Sequence, residues 1–234
     1  MGELVKHSRD GSIATITMDD GKVNVLSPAM QADINAALDQ AEADGVPVVF
    51  AGRAGRFSGG FDLATLNAGG PDAVNMLLGG FELSYRMLSF PTPIVIACTG
   101  HAIAMASFLL LSGDYRIGVA GGAHKIQANE VAIGMAMPYT AIEICRQRLT
   151  RSHFHRAIAL AEPYTPDTAI AAGFLDAVVP EADLLPHARA VAEGYASTLN
   201  PAAHTMSKLR AREPALAAIR VAIEADAQNL GITR

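Results

Sequence analysis

The 234-residue chain has no tryptophan, two cysteines and no surplus of positive charge, with 18 Lys and Arg against 23 Asp and Glu. Each shortage speaks against a class of function. With a formal charge of −5 and no basic stripe with interleaved aromatics, the chain lacks the footprint of a nucleic-acid binder. Cys98 and Cys145 stand in apolar surroundings without CxxC spacing, which argues against a disulfide framework or a zinc site and fits a reducing cytoplasm. The longest nearly apolar run, Ala102 to Leu111, is far short of the roughly 20 residues a membrane span needs, and the opening MGELVKHSRDG is too polar for a signal peptide. What the chain has in quantity is apolar. Half its residues are hydrophobic and its mean hydropathy is +0.25, high for a lone domain, so apolar surface is expected to be covered by self-association.

The length suits one α/β domain, or one domain with a small appendage. Leu4 to His7 and Ser12 to Met18 alternate as strands around an Arg9-Asp10-Gly11 turn. Ser27-Pro28 is a helix start, with Met30, Ile34, Leu38 and Ala41 on one face and Gly45 as the stop. Val46 to Ala51 is a short continuous apolar run, the pattern of a buried parallel strand. A glycine-rich loop over 52–63 follows, then a helix from Pro71 to about Leu88 that Gly79-Gly80 weakens. Strand and helix alternate to about residue 180. Beyond it the pattern is all helix, over 182–199, 201–211 and 214–227, which predicts a wound α/β core with a helical C-terminal appendage.

The stretch from Pro93 to Asp114, PIVIACTGHAIAMASFLLLSGD, reads as a buried strand, a turn at Gly100 and an apolar helix entered through small residues. A helix that begins inside a protein leaves backbone N–H groups unpaired at the positive end of its dipole. Such donors can polarise a carbonyl whose oxygen gains charge during reaction. A buried connection with nothing bound has the same pattern.

Three segments together resemble the crotonase, or enoyl-CoA hydratase/isomerase, superfamily: Phe57-Ser58-Gly59-Gly60-Phe61-Asp62-Leu63, the stretch from Thr99-Gly100-His101-Ala102 to Asp114, and Asn129-Glu130-Val131-Ala132-Ile133-Gly134. The resemblance implies a spiral of repeated ββα units over residues 1–180, which binds and transforms an acyl-CoA thioester. It also implies a helical region over 181–234 that joins chains into a trimer or a pair of trimers. It further places the two amides that hold the thioester oxygen at Phe61 and Met105, with Gly60, Asp62, Leu63, Ala104 and Phe108 around the substrate. Lys22, Val23 and Val25, with the Gly59 carbonyl, fall where family members bind the nucleotide. Consecutive glycines are usual where this chain has Ala104-Met105-Ala106, and the methionine narrows the pocket. No metal or separate cofactor is implied, since coenzyme A enters with the substrate.

The family's hydratases resemble one another in using two glutamates; alignment on Gly100 and Asp114 puts Phe108 at the first position and Glu130 at the second. One carboxylate suffices to move a proton from C2 to C4 of a 3-enoyl thioester while the two amides hold the enolate, so the resemblance is closer to the isomerase branch. Burial among Val131, Ile133, Met135 and Met137 should raise the pKa of Glu130 and make it a better base. A hydratase with another acid or a water in place of the absent glutamate, and a non-catalytic acyl-CoA-binding oligomer, remain alternatives. Glu143 is a candidate replacement acid if its helix faces the pocket. Asp114 is expected to buttress the fold, His101 to be a turn histidine satisfied by backbone, and Lys208 to lie on a helix surface, from which it could reach a neighbour's phosphate.

Overall fold

The computed structural model describes residues 4–230; the first three residues of the opening stretch lie outside them. β1 (Val5–Asp10) and β2 (Ile13–Met18) form an antiparallel hairpin longer than alternation suggested. Arg9 pairs with Ala14 and Asp10 with Ile13, so the turn shrinks to Gly11 and Ser12, with Gly11 at φ 61°. Both residues stay extended with ion-pair partners beyond the strand: Asp44, 2.8 Å from Arg9, and Arg189, 2.7 Å from Asp10.

α1 (Pro28–Asp44) starts at Ser27, whose hydroxyl accepts from the Met30 amide, and stops at a left-handed Gly45. Next come β3 (Val48–Gly52), α2 (Leu63–Ala68), α3 (Gly70–Ser89), β4 (Ile94–Cys98), β5 (Ala102–Ile103), α4 (Met105–Leu111), β6 (Tyr115–Val119) and β7 (Ile126–Gln127). A 3-10 turn over Val131–Ile133 leads to α5 (Tyr139–Arg146), α6 (Arg151–Ala159), α7 (Pro166–Ala172), β8 (Ala177–Val179), α8 (Leu184–Thr198) and α9 (Pro201–Asn229).

The main sheet runs β1-β2-β3-β4-β6-β8 and is parallel from β2 onward, while β5 and β7 pair separately. Side chains on a strand alternate between faces, so β3 sends Val48 and Phe50 into one core and Val49 and Ala51 into another. β4 divides Ile94 and Ile96 from Val95 and Ala97 in the same way. The smaller core is closed by Leu184, Ala188 and Ala192 of α8, and the larger holds buried faces of α1, α3, α4 and α5. Apolar side chains are therefore needed at every position of the central strands, which is why they read as unbroken runs.

The C-terminal region departs from expectation in one respect. Instead of a break before Pro214, α9 continues through it as a single helix. Contacts on both sides hold it: Lys208 and Arg212 bind Asp114 before the proline, and Leu216, Ile219 and Ile223 enter the larger core after it. Tertiary packing thus outweighs the lost hydrogen bond at Pro214.

Candidate active site

The loop that leaves β3 is laid against the segment that leaves β4. The Ser58 amide donates to the His101 carbonyl at 3.0 Å, and the Ile103 amide to the Ser58 carbonyl at 3.4 Å. The Ser58 hydroxyl donates to the Asn24 carbonyl at 2.6 Å and accepts from the Gly60 amide at 3.1 Å. Asn24 is fully buried, and its side-chain amide lies within 3.1 Å of the Met18, Arg56 and Phe57 carbonyls. Asp20 holds the turn before it, accepting from the Lys22, Asn24 and Val25 amides.

Gly60 is where the two segments touch. Its φ is +88°, and a Cβ there would stand 2.6 Å from the Ile103 carbonyl oxygen and 3.5 Å from the Met105 nitrogen. The Gly60 carbonyl accepts from the Leu26 amide at 2.8 Å. In a trans peptide the N–H points opposite to the C=O, so the Phe61 N–H is turned away from Leu26. The same reasoning fixes Met105. Ala104 has φ 51° and ψ −125°, a conformation costly for a residue with a Cβ. It is held there by three bonds: its amide donates to the Gln127 carbonyl at 2.9 Å, and its carbonyl accepts from the Ser107 amide at 2.8 Å and the Ser107 hydroxyl at 2.7 Å. The Met105 N–H is therefore directed away from the helix it opens. Among the described residues neither the Phe61 nor the Met105 amide has a hydrogen-bond partner.

Glu130 reaches the same region through β7. Ile103 is in register with Gln127 in a parallel pair, so Met105, two residues on, and Glu130, three residues on, leave at the same end. Glu130 is 5% exposed, and its Oε2 is buried without a partner. Burial pushes its carboxyl up from 4.5 to about 7, against a smaller pull from its own backbone amide. The neighbours responsible differ from those expected. Val131, Ile133 and Met135 are exposed, and of the four apolar residues only Met137 packs against the core. The carboxyl lies near enough to the buried Cys145 thiol of α5 for its charge to push that thiol further up than burial alone does.

Phe108 is buried in the larger core, as is the Met105 side chain. The Phe61 ring lies against Gly80 of α3 and edge-on to Phe81 at 6.3 Å between centroids. The glycine pair that weakens α3 in sequence thus makes room, Gly80 for this ring and Gly79 for the Gln31 side chain.

A cleft of about 370 Å³ opens beside these segments, lined by Val23, Arg56, Phe57, Ser58, Gly59 and His101 together with Ile103. Of the residues assigned to the nucleotide end, Val23 and Gly59 line it, and Lys22 and Val25 do not. The Val23 carbonyl accepts from the Gly59 amide at 2.9 Å. Asp62 caps α2, and its bond to Thr65 holds its carboxyl below the usual range; Leu63 is 63% exposed.

His101 accepts the Lys125 amide on Nδ1 at 2.8 Å, as expected of a backbone-satisfied turn histidine. Asp114 does buttress the fold: it accepts from the Ile94 amide and bridges Lys208 at 2.7 Å and Arg212 at 2.9 Å. Lys208 is thereby corrected from a surface lysine to a buried one, since α9 turns it inward to this carboxylate, and it cannot reach a neighbour's phosphate. Glu143 pairs with Arg146 at 3.0 Å and lines a groove between α5 and α9, on the side of α5 away from Ile144 and Cys145. It is no replacement acid. Sequence reasoning missed Asn24, Ser58, Ser107 and Gly80, which hold the two amides in place. An Asn before a helix start and a Gly pair inside a helix were the available signals.

The family model for enoyl-CoA hydratase/isomerase matches residues 8–233. Among solved structures, an Mtb enoyl-CoA isomerase in its apo form is 50% identical, with a TM-score of 0.93 covering 97% of this chain and 99% of that one. An enoyl-CoA hydratase from Mycobacterium marinum is also 50% identical, with a TM-score of 0.93 over 97% and 100% of the two chains. Among curated relatives, enoyl-CoA delta isomerase 1, mitochondrial, of Homo sapiens is 25% identical over 232 residues, which is 97% of this chain and 76% of the human one.

Proposed function

The chain belongs to the enoyl-CoA hydratase/isomerase family, and from that premise we propose that it moves the double bond of a 3-enoyl-CoA to the 2-position through Glu130. One observation carries the choice: among the described residues Glu130 has the only buried carboxylate oxygen without a partner, while Phe108 fills the position of a second acid. The ionised carboxylate takes a proton from C2. Charge moves to the thioester oxygen, where the Phe61 and Met105 amides stabilise the enolate, each by about 3 kcal/mol. The protonated carboxyl then returns the proton at C4, the double bond settles between C2 and C3, and Glu130 is ionised again. A carboxyl raised toward 7 is a stronger base than an ordinary carboxylate for the uphill first transfer, and once protonated it still gives its proton up readily to C4 of the enolate.

Val23 and Gly59 would hold the coenzyme A end along the cleft, with Lys22 and Val25 behind them in the turn; Gly60, Asp62, Leu63, Ala104 and Phe108 would border the acyl part. The reaction needs no metal or further cofactor. The unpaired cysteines and the absence, among the described residues, of a helix able to cross a membrane support a cytoplasmic enzyme. The helical region over 181–234 is proposed to join chains into a trimer or a pair of trimers.

Hydration is the second reading, favoured by the hydratase name on a structure as similar as the isomerase. Offering 3-enoyl-CoA and 2-enoyl-CoA separately distinguishes the two. Isomerisation of the first without hydration of the second is expected; rapid hydration of the second would establish the alternative, and binding without turnover would make the chain a non-catalytic acyl-CoA binder. Glu130→Gln should abolish isomerisation and keep coenzyme A binding. Undiminished turnover in that variant rules the residue out as the base.

A further inference from the structure

We propose that His101 is a phosphate-binding residue of the cleft, its Nε2–H and the Arg56 guanidinium together holding a phosphate of coenzyme A. This role rests on the acyl-CoA reading of the site. Gly59 and Ile103 line the cleft, each two residues before one of the amides at Phe61 and Met105. A thioester seated on the two amides extends its coenzyme A arm along the cleft, past Arg56 and His101. The other lining side chains leave little for an anion. Val23, Phe57 and Ile103 are apolar, and the Ser58 hydroxyl is already committed to the Asn24 carbonyl and the Gly60 amide. Recognition of charge falls to Arg56 and His101, both exposed.

Packing between the two loops brings these residues side by side. The Thr99 hydroxyl donates to the Arg56 carbonyl at 3.0 Å, and at Gly100 a Cβ would stand 2.6 Å from the Gly55 carbonyl oxygen and 2.8 Å from the Arg56 Cα. Only glycine lets the Arg56 loop lie this close to the residue before His101. The imidazole is then aimed by its own neighbours. Its Nδ1 accepts from the Lys125 amide at 2.8 Å, so the neutral ring carries its proton on Nε2, which has no partner among the described residues. The His124 ring stands edge-on to it at 5.5 Å, in space that Gly122 leaves open.

Charge at this place is of one sign. Partial desolvation, then the charges of His124, Arg56 and Lys125, hold the His101 pKa below its ordinary 6.5, and no carboxylate is among the groups that act on it. Arg56 and Lys125 take part in no ion pair among the described residues. Arg56 donates from one Nη to the Gly55 carbonyl at 2.8 Å and keeps its other donors for a ligand. A chain with a formal charge of −5 thus presents uncompensated cations at the mouth of one cleft. Because the ring stays neutral, the Lys125 bond persists and Nε2 remains a donor at neutral pH. A phosphate oxygen accepts from Nε2 while the guanidinium takes others, the pairing that planar arginine donors favour.

His101→Phe keeps a ring beside His124 and removes the donor; His101→Gln returns an N–H near the Nε2 position. Titrated into the full chain, coenzyme A should bind His101→Phe and Arg56→Gln each about tenfold more weakly than the parent, and His101→Gln within about threefold of it. Pantetheine and adenosine, which carry no phosphate, should bind His101→Phe as they bind the parent in saturation-transfer NMR. Both positions are exposed, so the variants should fold. Undiminished coenzyme A affinity in His101→Phe or Arg56→Gln, an equal loss for pantetheine or adenosine, or a His101→Gln protein as weak as His101→Phe would overturn the phosphate role and leave the acyl-CoA reading standing. A parent that binds no coenzyme A would remove both.

Discussion

At the scale of single residues, the proposed chemistry depends on how Glu130 is solvated. Its ordinary pKa of 4.5 is raised to about 7 by burial, so as the base it should be mostly protonated, and idle, in mild acid. The expected pH profile of kcat/KM for 3-enoyl-CoA rises about tenfold per unit below pH 7 and levels off above it; a flat profile from pH 5 to 8 would contradict the role. Stability changes the other way. A carboxyl that binds its proton more tightly when folded makes the protein less stable as pH rises from 4.5 through 7, with the cost fully present above 7. Glu130→Gln should therefore be the more stable protein at pH 8, on the order of 3 kcal/mol in urea titrations, and nearly equal to the parent at pH 4.5. That Glu130 would be buried was legible in the sequence, but the source of its burial was not. The apolar run after it suggested a surrounding core, yet a single 3-10 turn leaves Val131, Ile133 and Met135 outside. Ala104 was opaque for a similar reason: alanine gives no sign of a positive φ, and the groups that impose it, Ser107 and Gln127, are ordinary in sequence.

At the scale of elements, the two amides are aimed by what the loops lean on. Gly80 removes a side chain from α3 so that the Phe61 ring can lie flush, and a Cβ there would come within 2.6 Å of the ring. Gly80→Ala improves helix propensity by about 1 kcal/mol but displaces the ring and the amide attached to it. The expected result is an unfolding midpoint close to the parent's with kcat reduced about tenfold, and recovery when Phe61→Leu is added. A loss of kcat that the second change does not repair would mean that Gly80 acts elsewhere. On the other side of the molecule, Asp114 ties α9 to the start of β4. Burial drives the Lys208 ammonium down to about 8 even against the pull of Asp114, a measure of how little water reaches it. Asp114→Asn leaves two cations without a counter-charge and should cost about 3 to 5 kcal/mol, whereas Lys208→Met leaves Asp114 bound to Arg212 and should cost clearly less. Urea midpoints that reverse this order would refute the account. Periodicity located α1, α3 and α8 because their own sequences carry the buried face, and α1 its start and stop as well. It broke α9 at Pro214, since the contacts that carry the helix through lie in other elements.

At the scale of the whole molecule, the mean hydropathy of +0.25 has a visible counterpart. The central strands, buried on both faces, account for part of it, and that part was readable as unbroken apolar runs. The rest lies on the outside. Along the groove between α5 and α9, Tyr139 is 55% exposed and Val221 66% exposed, with Ala217, Ala218, Ala222 and Ala225 between them. A lone chain gains nothing from an alanine-lined apolar groove facing water, whereas a second copy laid along it would cover Val221 and Tyr139. Composition predicted that such a surface exists but not its place, because the groove is completed by Tyr139 and Glu143 of α5, which meets α9 only in the folded chain. If this face joins chains, light scattering on the parent should give a multiple of the 24.4 kDa chain mass, and Val221→Glu should shift it toward 24.4 kDa at equal concentration. A charge at an exposed site should leave the fold intact, so the far-ultraviolet spectrum should not change. A parent that is already monomeric, or a Val221→Glu assembly of undiminished size, would remove this face from the interface.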